Sequence, residues 1–304
     1  MTSTWFNPQR IDDPADPRLD DIRDLNSSDS RPDLPGGKGL VIAEGNLVVP
    51  RLLASRYPVR TIVGFGSKLE ALHQQLQTEG FFSTDAPGDP DRQAPQVFEV
   101  SRDVLREVAG FDMHRGLVAA ADRVEERGVE EVLDHVETTN PGTKVVAVLE
   151  GVGDHENIGA LFRNAAGLTV DAVLFGAATA DPLYRRSVRV SMGHVLRTPF
   201  ARLEGKTTTW QRSLAALQGR GYTVIALTPN TTETLTGAVA EARRRADDEG
   251  REVRIAIMVG AEGPGLTEHA MRAADIRAAI PMASGTDSLN VATAAAIGFY
   301  AARL

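Results

Sequence analysis

The segment IPMASGTDSLNVATAAAI, residues 280–297, carries the strongest structural signal in the chain. It opens with a short apolar run, continues through small and polar residues, and ends in an alanine-rich stretch typical of a helix. Two earlier segments have a similar organisation, HENIGALFRNAAG at residues 155–167 and VGAEGPGL at residues 259–266. Each follows a short apolar run, so each is predicted to lie where a strand gives way to a loop or helix.

Apolar runs alternate with helical patterns from Lys144 onward. The strand candidates are VVAVLE, VDAVLFG, HVLRTPF, YTVIAL, RIAIMVG and RAAIPM. This alternation predicts an α/β fold with a mostly parallel sheet and helices on both faces. Ligands of such sheets bind beyond the carboxyl ends of the strands, which is where the three segments fall.

The N-terminal half predicts a smaller α/β domain. LVIA and VRTIVGF are strand candidates, and SKLEALHQQLQTEG has apolar residues at helical spacing. Residues 1–38 are rich in Asp, Pro, Ser and Gly, which predicts an irregular arm with one short helix near residues 18–25. The expected organisation is an arm at 1–38, a smaller domain at 39–122, a charged linker at 123–143 and the main domain at 144–304.

Composition excludes several classes of site. The chain has no cysteine, so disulfides, thiolate metal sites and cysteine nucleophiles are excluded, and a reducing cytoplasm fits. The six histidines show no metal-ligand spacing, so no metal is expected. No apolar run reaches the roughly 18–20 residues that span a bilayer. The first residues lack a basic segment followed by an apolar core, so neither a membrane anchor nor a secretory signal is expected.

Charge is unevenly distributed along the chain. A net charge of −8, from 33 basic and 41 acidic residues, argues against a general polyanion binder. Between Asp181 and Glu204, however, there are five arginines and no acid. These arginines are Arg185, Arg186, Arg189, Arg197 and Arg202. We expect an anion-facing surface there, the alternative being a solvated face.

Familiar nucleotide and hydrolase motifs do not fit. LEGVGDHENIG holds Glu156 where a dinucleotide loop needs its third glycine, and GAEGPGL lacks the lysine of a phosphate-binding loop. Ser288 lies in TDSLN and not in a Gly-x-Ser-x-Gly turn. Oxidoreductases, NTPases and serine hydrolases are therefore disfavoured.

The three segments resemble, in order and spacing, the motifs of the SpoU/TrmH family of RNA ribose methyltransferases in the SPOUT superfamily. NIGALFR is similar to the first motif, VGAEGPGL to the second, with Ala261 in place of the usual asparagine, and residues 280–297 to the third. This resemblance covers residues 144–304. Residues 40–121 resemble, more weakly, the RNA-binding domain of many members, through Glu44-Gly45 and His114-Arg115-Gly116.

The resemblance implies a deep trefoil knot, an exception to unknotted topology. It also implies S-adenosylmethionine as cofactor, RNA as substrate and a homodimer. The terminal helix SLNVATAAAIGFYAARL is apolar or small on nearly every face, which favours a dimer; the alternative is a helix wholly buried within one subunit. By matching the family's motifs to this sequence, the resemblance assigns catalytic roles to Asn157, Arg163, Glu262, Ser288 and Asn290. It assigns cofactor binding to Gly260, Ala261, Ile280, Met282 and Leu289. The residues expected to bind RNA are Arg115, Arg185, Arg186 and Arg189.

The family assigns proton removal to the arginine matched by Arg163. A guanidinium is normally protonated at any workable pH, so two mechanisms stay open. Arg163 either deprotonates transiently beside a phosphate, or positions that phosphate while water accepts the proton. Glu262 is expected to hold Arg163 through a charge-assisted hydrogen bond.

Each carried-over residue also has a purely structural interpretation. Asn157 could cap a helix beginning at Ile158, and Ser288 could cap the last helix. Arg163 could form a surface salt bridge, and Glu262 could be a turn carboxylate. The expected function is 2′-O-methylation of ribose in structured RNA, ribosomal in preference to transfer RNA. A non-enzymatic RNA-binding or assembly factor is the competing class, and base methylation is disfavoured because the match is to the ribose branch.

Overall fold

The computed structural model describes residues 5–26, 38–81, 94–139, 141–286 and 288–304. In chain order the strands are β1 (Gln9–Ile11), β2 (Leu40–Glu44), β3 (Val59–Gly64), β4 (Gln96–Val100), β5 (Leu117–Asp122), β6 (Lys144–Leu149), β7 (Ala172–Phe175), β8 (Phe200–Arg202), β9 (Thr223–Leu227), β10 (Arg254–Val259) and β11 (Ile276–Ala278). The helices are α1 (Val48–Leu53), α2 (Gly66–Thr78), α3 (Arg102–Ala109), α4 (Val129–Thr139), α5 (His155–Gly167), α6 (Arg185–Val190), α7 (Leu214–Gly219), α8 (Leu235–Asp248), α9 (Glu268–Ala273) and α10 (Val291–Arg303). Short 3-10 helices lie at Pro17–Ile22, His194–Leu196 and Trp210–Ser213.

The chain divides into two compact units. The first comprises the described residues of Met1–Glu125 together with Leu183–Arg197, and the second comprises those of Glu126–Pro182 and Thr198–Leu304. Helix α6 therefore belongs to the first unit, although the chain reaches it from the second. The sequence-based domain 144–304 is wrong for this segment, because α6 packs on β2 and Val188 is buried there.

The first unit is built on a five-stranded sheet in the order β1-β4-β3-β5-β2. Strands β1 and β3 run parallel to β4, whereas β5 runs antiparallel to β3 and β2. The predicted irregular arm is wrong for part of its length, because Gln9–Ile11 pairs with β4. The predicted short helix corresponds to Pro17–Ile22, whose Leu19 and Ile22 are buried in the core with Leu25. Residues 27–37 of the predicted arm lie outside the described residues.

The second unit contains a six-stranded, entirely parallel sheet in the order β11-β9-β10-β6-β7-β8. The predicted α/β fold with a mostly parallel sheet is confirmed. The strand candidate HVLRTPF is wrong in part, because His194–Leu196 is helical and only Phe200 of that run enters a strand.

Helix α10 lies close to the sheet at one glycine. A Cβ on Gly298 would lie 2.9 Å from the Cγ2 atom of Ile257 in β10, so a larger residue would push the helix outward. Helix α10 also packs along α5, where Asn164 donates a hydrogen bond to the Ala292 carbonyl at 2.9 Å. The start of α10 is thereby fixed beside the carboxyl ends of the strands.

Across the described residues, every helix is too short or too polar to cross a membrane. The trefoil knot that the family resemblance implies stays a prediction.

Candidate active site

A cavity of about 550 Å³ opens at the carboxyl ends of β9, β10 and β11. This volume falls within the roughly 300–1,000 Å³ of small-molecule sites. The loop after β10 (residues 260–266), the segment after β11 and the start of α10 form most of its wall. Ligands of parallel α/β sheets bind at this edge, so the cavity is the candidate cofactor site.

The residues that the family resemblance assigns to cofactor binding all line this cavity. They are Gly260, Ala261, Ile280, Met282 and Leu289. Thr228 and Asn230 also line it, and the sequence interpretation missed both of them. The available signal was their position directly after the strand candidate YTVIAL, at the same edge of the sheet.

The loop after β10 closes tightly on itself. The Gly265 amide donates to the Ala261 carbonyl at 3.0 Å. A Cβ on Gly260 would lie 2.3 Å from both the Gly265 carbonyl carbon and the Leu266 nitrogen. Because those atoms are backbone, this position accepts no side chain without opening the loop. The glycines of VGAEGPGL thus form a compact turn whose backbone faces the cavity.

Asn290 connects all three sequence motifs. Its Nδ2 donates to Asn157 Oδ1 at 2.9 Å and to Glu262 Oε1 at 2.8 Å. Its Oδ1 accepts from the Ala292 and Thr293 amides at 2.9 and 3.2 Å, which makes it the N-cap of α10. One side chain therefore uses both ends of its amide to hold the motifs together beside the cavity.

Two structural alternatives are wrong. Helix α5 begins at His155, with Asp154 as its cap, so Asn157 is not a capping residue. Helix α10 is capped by Asn290, so Ser288 is not its cap. Ser288 instead lines the cavity, and Asn157 is buried with its amide oxygen bonded to Asn290.

Arg163 lies apart from the motif cluster. It stands six residues after Asn157 on α5, which places it about 9 Å along the axis and about 120° around it. Its side chain is exposed and, among the described residues, forms no hydrogen bond or ion pair. Arg163 therefore makes neither the expected hydrogen bond to Glu262 nor the alternative surface salt bridge in the described part of the chain, and Glu262 accepts from Asn290 instead.

The predicted arginine surface is divided between the two units. Arg202 belongs to the second unit, where it pairs with Glu126 at 3.1 Å. Arg185 belongs to the first unit and pairs at 2.6 Å with Glu44, which is 4 % exposed. A buried carboxylate needs such a partner. Arg185 also contacts Asn26 at 2.8 Å, so its guanidinium is committed to the unit's interior, contrary to the predicted RNA contact.

The other predicted RNA-binding arginines lie differently. Arg186 and Arg115 are exposed, and Arg189 is half-buried. Arg115 donates to the Glu44 carbonyl at 3.3 Å, and its side chain covers Gly45. Within the described residues, no group of three or more His, Asp or Glu side chains is arranged to hold a metal ion.

The family model of the SpoU rRNA Methylase family matches residues 144–300, which include the sheet, the cavity and all three motifs. The chain belongs to this family. An uncharacterized tRNA/rRNA methyltransferase of Mycobacterium tuberculosis is 50 % identical over 293 residues, covering 96 % of this chain and 90 % of that protein. The 23S rRNA (guanosine-2′-O-)-methyltransferase RlmB of Ralstonia nicotianae is 32 % identical over 202 residues, covering 65 % and 72 %.

Solved structures extend the likeness over both units of this family member. An rRNA methyltransferase from Sinorhizobium meliloti with bound AdoMet superposes with a TM-score of 0.69 at 22 % identity, covering 97 % of each chain. The SpoU methyltransferase AviRb from Streptomyces viridochromogenes, in complex with AdoMet, gives 0.67 at 19 % identity, covering 94 % of this chain and 97 % of that one. At such identities the likeness shows the fold.

Proposed function

We propose that this protein transfers a methyl group from S-adenosylmethionine to a ribose 2′-hydroxyl of structured RNA, with ribosomal RNA as the substrate class. The observation that carries the proposal is the convergence of Asn157, Glu262 and Asn290 beside the glycine-loop cavity. RlmB, the relative from R. nicotianae, is a ribose methyltransferase by name. The M. tuberculosis relative is named for both RNA classes, so transfer RNA is the alternative substrate.

The cavity fits S-adenosylmethionine. Its volume is suitable, and Gly260 lets the loop that forms its wall fold tightly on its own backbone, where a Cβ would clash with Gly265 and Leu266. Ile280, Met282 and Leu289 give it apolar walls for the flat adenine ring. Both neighbours from S. meliloti and S. viridochromogenes hold AdoMet. When bound, the cofactor supplies an electrophilic methyl group carried on a positively charged sulfur.

The chain's own residues align the acceptor ribose. Asn290 fixes Asn157 and Glu262 relative to the start of α10, and Ser288 lines the cavity beside it. Alignment of two reactants can supply much of a rate enhancement, so this cluster has a direct route to catalysis. The Glu262 side chain is exposed at the cavity and has a second oxygen available to accept from a ribose hydroxyl.

We assign Arg163 to positioning a phosphate of the RNA. Its exposed guanidinium is not committed to any carboxylate in the described part of the chain. Such a group binds phosphate with two parallel hydrogen bonds and stays protonated while doing so. Of the two mechanisms open from the sequence, this favours the one in which water accepts the hydroxyl proton.

RNA capture is assigned to the first unit. Arg115 and Arg186 are its exposed arginines among those predicted, and Arg189 is partly exposed. Structured RNA is recognised largely by shape, loops and phosphates, which a dedicated unit can contact apart from the catalytic one. A cytoplasmic location, where such RNA is found, and a trefoil knot around the cofactor loops belong to the same proposal.

A homodimer formed through α10 completes the proposal. The inner face of the helix is buried, but Ile297, Tyr300 and Leu304 are exposed, Tyr300 to 57 %. Ile297 and Tyr300 are three residues apart and lie on one stripe of the helix, and Leu304 follows the last helical residue. The alternative of a helix wholly buried within one subunit is therefore wrong. Leu289, which lines the cavity, is also exposed, so the dimer contact would lie next to the active site.

Methyl transfer from radiolabelled S-adenosylmethionine to purified ribosomal and transfer RNA tests the function. We expect label in ribosomal RNA with the wild-type protein, and a loss of at least about a hundredfold in Arg163→Ala, which removes charge-assisted bonds to phosphate. Arg244→Ala is the matched control, since Arg244 is exposed on α8 and, in the described part of the chain, pairs with the carboxylates of Glu241 and Asp248. Label in transfer RNA alone would select the alternative substrate, and no label in either would contradict the enzymatic proposal.

A further inference from the structure

A buried carboxylate lies directly behind the cofactor loop. Glu150 follows the last residue of β6 and is only 4 % exposed. Its Oε1 accepts from Trp210 Nε1 at 2.8 Å, from Thr267 Oγ1 at 2.9 Å and, at 3.5 Å, from Gln211 Nε2. Its Oε2 accepts from the Thr267 amide at 2.8 Å. Both oxygens are therefore satisfied by donors, as burial of a carboxylate requires.

These contacts hold both ends of the loop that lines the cavity. The loop begins after Val259, whose carbonyl accepts from the Glu150 amide at 3.0 Å. It ends at Leu266, immediately before Thr267, which the Glu150 side chain holds through two hydrogen bonds. One residue thus fixes the entry of the loop with its backbone and the exit with its carboxylate.

The carboxylate is itself held in place. The Trp210 ring is fully buried, and a Cβ on Gly176 would lie 2.9 Å from it, so the ring packs directly on the end of β7. The indole N–H has a fixed direction and donates to the Glu150 oxygen that also accepts from the Thr267 hydroxyl. Trp210 therefore fixes the orientation of the Glu150 side chain, and Glu150 in turn holds Thr267 at the end of the loop.

We propose that Glu150 is a positioning residue that keeps the loop at residues 260–266 closed in its cofactor-binding conformation, through Thr267. The proposal rests on the proposed function, since it takes this cavity as the S-adenosylmethionine site. Apparent affinity falls in proportion to the fraction of molecules whose site is competent. Loss of a hydrogen bond to a charged group shifts such an equilibrium by about tenfold or more. Glu150 does not touch the cofactor in this role and acts only through the loop.

The test compares variants of matched chemistry in the full-length protein. Thr267→Val removes the hydroxyl donor to Glu150, whereas Thr267→Ser keeps it. Glu150→Gln preserves shape but points a donor at one or more of the four groups that donate to the carboxylate. Thr267 also caps α9, so Thr234→Val is the control. Thr234 caps α8 in the same way, accepting from the Gly237 amide at 3.1 Å, and it is not among the described residues that hydrogen-bond to the Glu150 side chain.

Calorimetric titration with S-adenosylmethionine and hydrogen exchange of the ligand-free protein are the readouts. We expect Thr267→Val and Glu150→Gln to speed exchange at residues 260–266 about tenfold, and to raise Kd by up to about tenfold according to the fraction of the ligand-free loop that is then open. Thr267→Ser and Thr234→Val should stay within about twofold of wild type, because each leaves the clamp intact. In steady-state kinetics KM for the cofactor should rise with Kd, while kcat at saturation changes little.

The outcomes separate this inference from the function on which it rests. Failure of the wild-type protein to bind S-adenosylmethionine would remove the cofactor assignment itself. Normal wild-type binding with unchanged Kd and loop exchange in Thr267→Val would reject the clamp and leave the function standing. An equal loss of affinity in Thr234→Val would show that helix capping alone is responsible, which also rejects the clamp.

Discussion

The substitution Asn290→Asp provides a stringent test of the motif cluster. It keeps the size of the side chain and an oxygen to cap α10, but it replaces the amide donor with a second acceptor. That acceptor would face Glu262 Oε1 and Asn157 Oδ1 at the present distances of 2.8 and 2.9 Å. The change therefore converts two hydrogen bonds into two repulsive contacts, one of them between like charges.

The magnitude follows from these contacts. A neutral hydrogen bond contributes about 1 kcal/mol and one to a charged group about 1.5–3 kcal/mol. Glu262 and Asn290 are exposed, so the charged contribution belongs at the low end of that range. A negative N-cap recovers about 0.3–1 kcal/mol from the helix dipole. A net loss of about 1.5–2 kcal/mol remains, which lowers the Tm of a unit of this size by roughly 3–8 °C.

Activity should fall much further than stability. Displacing Asn157 and Glu262 from the ribose site by about 1 Å can reduce a rate about a hundredfold. Single-turnover methyl transfer and thermal unfolding measure the two effects, with Asn290→Ser as the uncharged comparison that keeps a capping oxygen. We expect Asn290→Ser to retain more activity than Asn290→Asp. If Asn290→Asp kept activity within about threefold and Tm within about 1 °C of wild type, the cluster would not organise the site.

Three further predictions concern groups outside that cluster. Lys144 is fully buried, and its Nζ has no hydrogen-bond partner among the described residues. Lys144→Met should therefore raise the free energy of unfolding, measured in urea, by about 1–3 kcal/mol. A lower free energy of unfolding in the variant would contradict this prediction. Burial raises the pKa of Tyr222, whose hydroxyl also lacks such a partner. The pKa of Tyr222 in the folded protein lies above its unfolded value of about 10, so the neutral side chain contributes stability that is present below about pH 10 and is lost as the pH rises through the folded pKa. Tyr222→Phe should therefore unfold less readily than the wild-type protein between about pH 10 and 11. Equal unfolding of the two proteins in that range would refute the assignment. Tyr300→Asp should convert a dimer to a monomer, as measured by light scattering. The control is Leu47→Asp in the first unit, at a residue that is 56 % exposed, and this variant should remain a dimer. If both variants were dimers, α10 would be excluded as the interface.

Local patterns in the sequence were sufficient to predict the parallel sheet of the second unit, although not the boundaries of the unit. Its strands are short apolar runs bounded by helical segments, and the parallel sheet follows from that alternation. The cavity-lining loops could be located because they directly follow strands that meet at one edge. Asn290 was predicted to be functional, but its double role as cap and connector depends on the packing of α10 against α5, which no local pattern encodes.

Features set by long-range packing were predicted poorly. The strand Gln9–Ile11 is too short for a periodic pattern and exists because β4 offers an open edge. Helix α6 joins the first unit, and the charge of Arg185 is used internally, because Glu44 is buried and needs a cation. Glu150 was read as the end of a strand, since nothing nearby in sequence indicates that Trp210 and Thr267 meet it.

The most direct test of the central claim is the position of the transferred methyl group. Ribosomal RNA methylated by the purified protein would be digested to nucleosides and separated, with mass spectrometry reporting whether the added mass lies on the ribose or the base. We expect a single 2′-O-methylated nucleoside that disappears with Arg163→Ala. A methyl group on a base would contradict the assignment of the motif cluster to a ribose hydroxyl.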